Sequence, residues 1–151
     1  MIEPESDDEI LQFAIAKEIE AYNFYLALAD RVADQRIRKV FEELAQEELE
    51  HKARLELEVM KLGKTIAVEE NPVRPERSYI VSNDPSPLDM DYKDMLMLGM
   101  EKEEAAFRTY VNLVASVNNE KSREVLLELA EEEVRHKLRF QTEYDALLKN
   151  R

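Results

Sequence analysis

Residues 44–54 read Leu-Ala-Gln-Glu-Glu-Leu-Glu-His-Lys-Ala-Arg, and residues 129–139 read Leu-Ala-Glu-Glu-Glu-Val-Arg-His-Lys-Leu-Arg. Sliding one half of the chain back by 85 positions superposes the two stretches, with Glu47-Glu48 on Glu132-Glu133, His51-Lys52 on His136-Lys137 and Arg54 on Arg139. The match extends outward. Lys17-Glu18 falls on Lys102-Glu103, Ala21 on Ala106, Tyr25 on Tyr110 and Leu28 on Leu113, and no gap is needed between residues 14 and 64. A repeat of this length is the mark of a duplicated supersecondary unit. It predicts two like halves related by an approximate twofold axis.

Each half is helical by composition and spacing. The two glycines are Gly63 and Gly99, and the five prolines are Pro4 and four between Pro72 and Pro87. The stretches 7–62 and 89–149 are therefore free of proline and rich in Ala, Leu, Glu, Lys and Arg, which favour helix. Each has a polar break near its middle, at Ala33-Asp34-Gln35 and at Asn118-Asn119, so each reads as a helical hairpin. Gly63 suits a helix stop, and Asp89 or Ser86 is the expected cap of the third helix. The predicted architecture is a single all-α domain over 1–151, an antiparallel four-helix bundle. It comprises a hairpin at 7–62, a long crossover at 63–88 pinned by Ile66, Val68 and Tyr79-Ile80-Val81, and a hairpin at 89–149.

The chain has 151 residues, with 21 Lys and Arg against 34 Asp and Glu, a formal charge of -13. So acidic a surface repels phosphate backbones and anionic lipid heads, which argues against nucleic acid and membrane partners. The absence of cysteine excludes disulfides, iron–sulfur clusters and thiol catalysis. No basic and then apolar leader opens the sequence, and no apolar run reaches the ~18–20 residues of a membrane span. A cytoplasmic protein is expected.

The inward stripe of each helix, at alternating steps of three and four, is apolar except at one height. There it carries Glu18 in the first helix, Glu48 and His51 in the second, Glu103 in the third, and Glu133 and His136 in the fourth. Four carboxylates buried together repel one another and lose hydration, so protons, buried cationic side chains or metal ions must balance them. The stripe offers no Lys or Arg at that level. Two divalent cations cancel four negative charges, and two neutral imidazoles add donors without altering that balance. The Glu and His of each pair are three positions apart, on one helix face. A mixed carboxylate–imidazole set suits iron or manganese, and zinc is an expected substitute.

Two Glu-x-x-His motifs, Glu48 to His51 and Glu133 to His136, each preceded 30 residues earlier by a lone Glu, resemble the ferritin-like di-iron carboxylate proteins. Glu18-x-x-Ala21-x-x-Phe24-Tyr25 and the stretch 44–51 look most like the rubrerythrin branch. The resemblance implies two iron ions (Fe2+/Fe3+) and reduction of hydrogen peroxide or dioxygen. The expected partners are an external electron donor, such as a rubredoxin or a reductase, and a second copy of the chain in a homodimer. These 151 residues hold no cysteine for the cysteine-bound iron domain usual in that branch, so a separate reductant is expected. Ala106 stands where the branch carries a second glutamate. The competing readings are a ferroxidase that stores or delivers iron, and a bundle in which metal only stabilises the fold. Oxidation of an organic substrate needs a pocket, for which Ala21, Ala106 and Gly99 leave space.

Tyr25 and Tyr110 lie two turns beyond Glu18 and Glu103 on the same stripe. Each either holds a ligand carboxylate or supplies an electron, or is a core aromatic with some other hydroxyl partner. Glu47 and Glu132 are expected on the solvated face. Glu58 and Glu143 are expected to meet water or a basic side chain near the bundle ends.

Overall fold

A computed structural model describes residues 6–67 and 91–149. Four helices fill these segments: α1 (Asp7–Ala29), α2 (Gln35–Lys61), α3 (Tyr92–Ser116) and α4 (Glu120–Lys149). α1 and α3 begin at residues 7 and 92, α2 and α4 at 35 and 120, so both pairs keep the 85-residue offset of the repeat.

The helix ends follow from local chemistry. Ser6 and Glu9 form a reciprocal capping box at the start of α1. Asp34 accepts the Arg36 amide at 2.8 Å to start α2. Asn119 accepts the Ser122 amide at 2.9 Å at the start of α4. The cap of α3 is Asp91, which accepts the Asp94 amide at 2.9 Å. The expected caps Asp89 and Ser86 precede the described helix, because the first free amides are within reach of a carboxylate only from the residue next to the first turn. At the end of α2, Gly63 adopts φ +78°, and the amides of Gly63 and Lys64 return to the carbonyls of Met60 and Val59. A residue with a Cβ is strained there. Most of the expected crossover, including Tyr79-Ile80-Val81, lies outside the described residues.

α1 packs along α2 and α3 along α4, and the two hairpins meet through α1–α3 and α2–α4. Two apolar clusters define the ends. One joins Ile10 and Leu11 at the start of α1, Leu55 and Val59 at the end of α2, Tyr110 of α3, and Leu126 and Leu129 at the start of α4. The other joins Leu28 of α1, Phe41 and Leu44 of α2, Met95 and Leu96 at the start of α3, and Phe140 near the end of α4. Every adjacent pair is therefore antiparallel, while α2 and α3 run the same way on a diagonal. Between the clusters lies a polar layer. Among the described residues, no helix is long and apolar enough to cross a membrane.

Gly99 holds this packing together at one point. A Cβ placed there would come within 2.8 Å of two ring atoms of the fully buried Phe140. The equivalent pair in the first half is Ala14 and Leu55, so the smaller glycine accompanies the larger partner. Gly99 does not open a pocket, contrary to the sequence expectation, because the Phe140 ring occupies the space.

Candidate metal centre

Glu18, Glu48, His51, Glu103, Glu133 and His136 meet in the polar layer, and none is more than 4 % exposed. Their side chains form two overlapping groups, Glu18-Glu48-His51-Glu133 and Glu48-Glu103-Glu133-His136. Within each, one donor atom per residue lies within 4.8 Å of all the others. Glu48 and Glu133 belong to both groups, while Glu18 with His51 and Glu103 with His136 mark the two sides. His51 Nδ1 lies 3.5 Å from Glu18 and 3.2 Å from Glu48, and His136 Nδ1 lies 3.2 Å from Glu103 and 3.5 Å from Glu133. The imidazole rings stack at a centroid distance of 5.8 Å with 8° between planes.

Buried polar atoms are nearly always hydrogen-bonded. Here Glu18 Oε1, both oxygens of Glu48, Glu133 Oε1 and His51 Nδ1 are buried without a hydrogen-bond partner. His136 Nδ1 differs from its counterpart, being within hydrogen-bond distance of Glu103 at 3.2 Å. Five orphaned lone-pair donors converging on one small volume are costly in a protein interior, and they are what a cation requires. The donor set therefore fits a dinuclear metal centre on the structure's own geometry.

Electrostatics say the same. Burial, then the charge of Glu18, pushes the Glu48 carboxyl up to about 8. Burial and the neighbouring Glu48 and Glu103 carboxylates push Glu133 well above the carboxylate range. Burial opposes charge on His51, but Glu18 and Glu48 outweigh it and raise the imidazole to about 11. His136 rises to about 10 against the same opposition, through Glu103 and Glu47. Lacking metal, the layer gathers protons.

Each side carboxylate is gripped from the opposite hairpin. Tyr25 of α1 donates its hydroxyl hydrogen to Glu103 of α3, and Tyr110 of α3 donates to Glu18 of α1. Both hydroxyls keep their protons far above the usual phenol range, first through burial and then through the carboxylate each one faces. Sequence spacing puts each tyrosine near the glutamate of its own helix; the bundle pairs it with the other one.

The outer faces of the histidines correct the expectation for Glu47 and Glu132. These residues are half-buried, and Glu132 Oε1 lies 2.8 Å from His51 Nε2 while Glu47 Oε1 lies 2.9 Å from His136 Nε2. A carboxylate oxygen can only accept, so Nε2 carries the hydrogen and Nδ1 faces inward. Arg54 holds Glu132 in turn at 2.9 Å and also reaches Glu128. A signal was present in the sequence: both residues recur at one position of the repeat. Glu58 is buried and meets a basic side chain, as expected, bonded to Lys61 at 3.2 Å and to Ser122 at 3.4 Å.

A cavity of about 90 Å³ opens between α1 and α3 onto Glu18, Glu48, Glu103 and Glu133. Ala21 and Ala106 give it room, and Lys17 and Lys102, equivalent in the repeat, stand along it. Such a volume admits a few water-sized molecules.

The sequence model of the Rubrerythrin family matches residues 9–144 of this chain. No curated protein matches it. Among solved structures, a hypothetical protein from Pyrococcus furiosus is similar, with 27 % identity and a TM-score of 0.69 over 95 % of this chain and 91 % of that one.

Proposed function

The chain belongs to the rubrerythrin family, and from that premise we propose that it holds two iron ions and reduces hydrogen peroxide or dioxygen with electrons from an external donor. Glu18 and His51 on one side, Glu103 and His136 on the other, and Glu48 and Glu133, which belong to both donor groups, would hold the ions. The observation that carries this reading is the pair of overlapping donor groups with their inward, unpartnered oxygen and nitrogen atoms. When bound, ferrous ions supply the two electrons that convert peroxide and two protons to two waters, and act as Lewis acids toward its oxygens.

The residues of the chain do the rest. Tyr25 and Tyr110 fix one carboxylate oxygen each, leaving the other for metal. Glu132 and Glu47 hold the imidazole tautomer that presents Nδ1 inward. The cavity between α1 and α3 suits an oxidant of two heavy atoms better than a drug-sized substrate.

The test is to load the full chain with Fe(II) without oxygen and mix it with peroxide in a stopped-flow instrument. A near-ultraviolet band of ferric carboxylate, saturating at two irons per chain and bleached by dithionite, is expected. No absorbance change on mixing overturns the proposal. Continued uptake of iron beyond two per chain supports iron storage instead.

A further inference from the structure

The duplication is uneven in a way that packing does not require. At one end of the bundle an unbroken series of rings runs from the surface to the polar layer. Tyr92 meets Phe41 edge-on at 6.5 Å, Phe41 meets Phe140 at 6.2 Å, and Phe140 meets Tyr25 at 5.9 Å, whose hydroxyl is bonded to Glu103. All three spacings are those of packed aromatic pairs. At the equivalent positions the other end has Asp7, Leu126, Leu55 and Tyr110. Leu55 and Leu126 are fully buried there, so leucine serves as core at that end.

The ring series surfaces in a groove of about 460 Å³ between the start of α2 and the end of α4. Its floor is Ile37, Val40, Tyr92 and Leu147, and Arg36 and Lys39 stand on its rim. Among the described residues neither of these two has an ion-pair partner. Arg139 on the same rim is engaged by Glu43 at 2.9 Å, and Glu143 is the remaining carboxylate. In a chain of charge -13, an apolar, aromatic floor beside two unmatched cations suits a flat aromatic molecule that carries phosphate. The volume lies in the range of cofactor sites, roughly 300–1,000 Å³. An acidic redox protein is disfavoured, because it meets the repulsion of the whole chain, whereas a small molecule responds to the local field.

We infer that this groove binds a reduced flavin mononucleotide, and that the rings from Tyr92 to Tyr25 carry its electrons to the metal layer. Consecutive ring centroids stand 5.9 to 6.5 Å apart, so an electron passes from one π system to the next rather than across saturated side chains. The dihydroflavin becomes oxidised flavin, giving up two electrons one at a time and two protons to solvent. The two electrons return two ferric ions to the ferrous state. This inference rests on the di-iron reading above for its acceptor, and on the groove alone for its ligand.

The experiment has two arms on the full chain. Quenching of flavin mononucleotide fluorescence measures binding and needs no iron; saturable binding is expected, weakened on the order of tenfold or more by Arg36→Glu with Lys39→Glu. In anaerobic stopped-flow mixing with the ferric protein, dihydroflavin is expected to reduce it about tenfold more slowly when Gly99→Ala and Phe140→Leu are combined. That double variant reproduces the Ala14 and Leu55 pair of the other half; it is expected to keep its helix content by circular dichroism and to bind flavin normally. Dithionite, small enough to enter between α1 and α3, reduces all variants alike. Absence of saturable flavin binding, reduction of the double variant at the wild-type rate, or reduction through Arg36 and Lys39 by an acidic redox protein where flavin fails, overturns the inference. If dithionite bleaches nothing in the wild type, the di-iron reading has failed, and the binding arm still decides the groove.

Discussion

Tyr25 on α1 donates its hydroxyl hydrogen to the carboxylate of Glu103 on α3, a residue of the other copy of the repeat. The bond ties the hairpins together at the height of the buried layer and directs one oxygen of Glu103 away from it. Replacing Tyr25 with Phe leaves a buried carboxylate one donor short, at a cost of about 1.5–3 kcal/mol for a bond to a charged group. The expected result is a protein that still folds, unfolds at lower urea, and binds its second metal equivalent more weakly than its first in calorimetric titration. Tyr110→Phe is expected to do the same through Glu18.

Glu132 and Glu47 each hold the outer nitrogen of one histidine. Glu132→Ala is expected to weaken one of two metal equivalents by roughly 10–100-fold, the usual cost of losing a carboxylate behind a ligating imidazole. Glu47→Ala does so for the other. Competition against a chromophoric chelator measures both, and circular dichroism should show unchanged helix content.

The pH dependence of the metal-free protein follows from the protons its layer holds. Glu48 keeps its proton up to about 8 when folded, against 4.5 as its ordinary value. His51 keeps its own up to about 11, against 6.5. In both cases the folded state binds more protons than the unfolded one between the two values, so stability is fully present below the lower value and is lost as pH rises. Metal binding displaces those protons and strengthens over the same window. The melting temperature of chelator-treated protein should therefore fall from about pH 5 to about pH 8, and its gap from the iron-loaded form should widen. A gap independent of pH contradicts the assignment of these side chains to the metal.

Gly99→Ala sets helix propensity against packing. Alanine gains ~1 kcal/mol over glycine in a helix, but its Cβ meets the buried Phe140 ring at 2.8 Å. Overpacking of this kind costs about 1–3 kcal/mol, and the ring is held by Phe41 and Tyr25, so the net effect is destabilising. Adding Phe140→Leu should recover most of the loss, a positive coupling that a double-mutant cycle in urea reads directly.

Much of this was legible in the chain. A helix places its side chains at fixed angles, so steps of three and four identify the inward stripe without any knowledge of neighbours. That is why the six polar residues of the layer, and the offset of 85, stand out in the sequence. The angle of Glu47 and Glu132 points away from their own helix's core and so predicts a solvated face; long side chains in the seam between α2 and α4 reach the opposite histidine instead. The close fit of Gly99 to Phe140 was hidden for a related reason, since nothing local to either residue shows which of its neighbours crosses it.

By itself, then, the sequence determined the four helices, their duplication and the height at which six ionisable side chains face inward, because periodicity and helix caps are local properties. Only the tertiary structure decided which tyrosine meets which glutamate, which carboxylates back the histidines, which two glutamates are common to both donor groups, and that the rings form a series at one end alone. Those relationships depend on the rotation and axial offset of one helix against another, which the packing of the whole bundle sets.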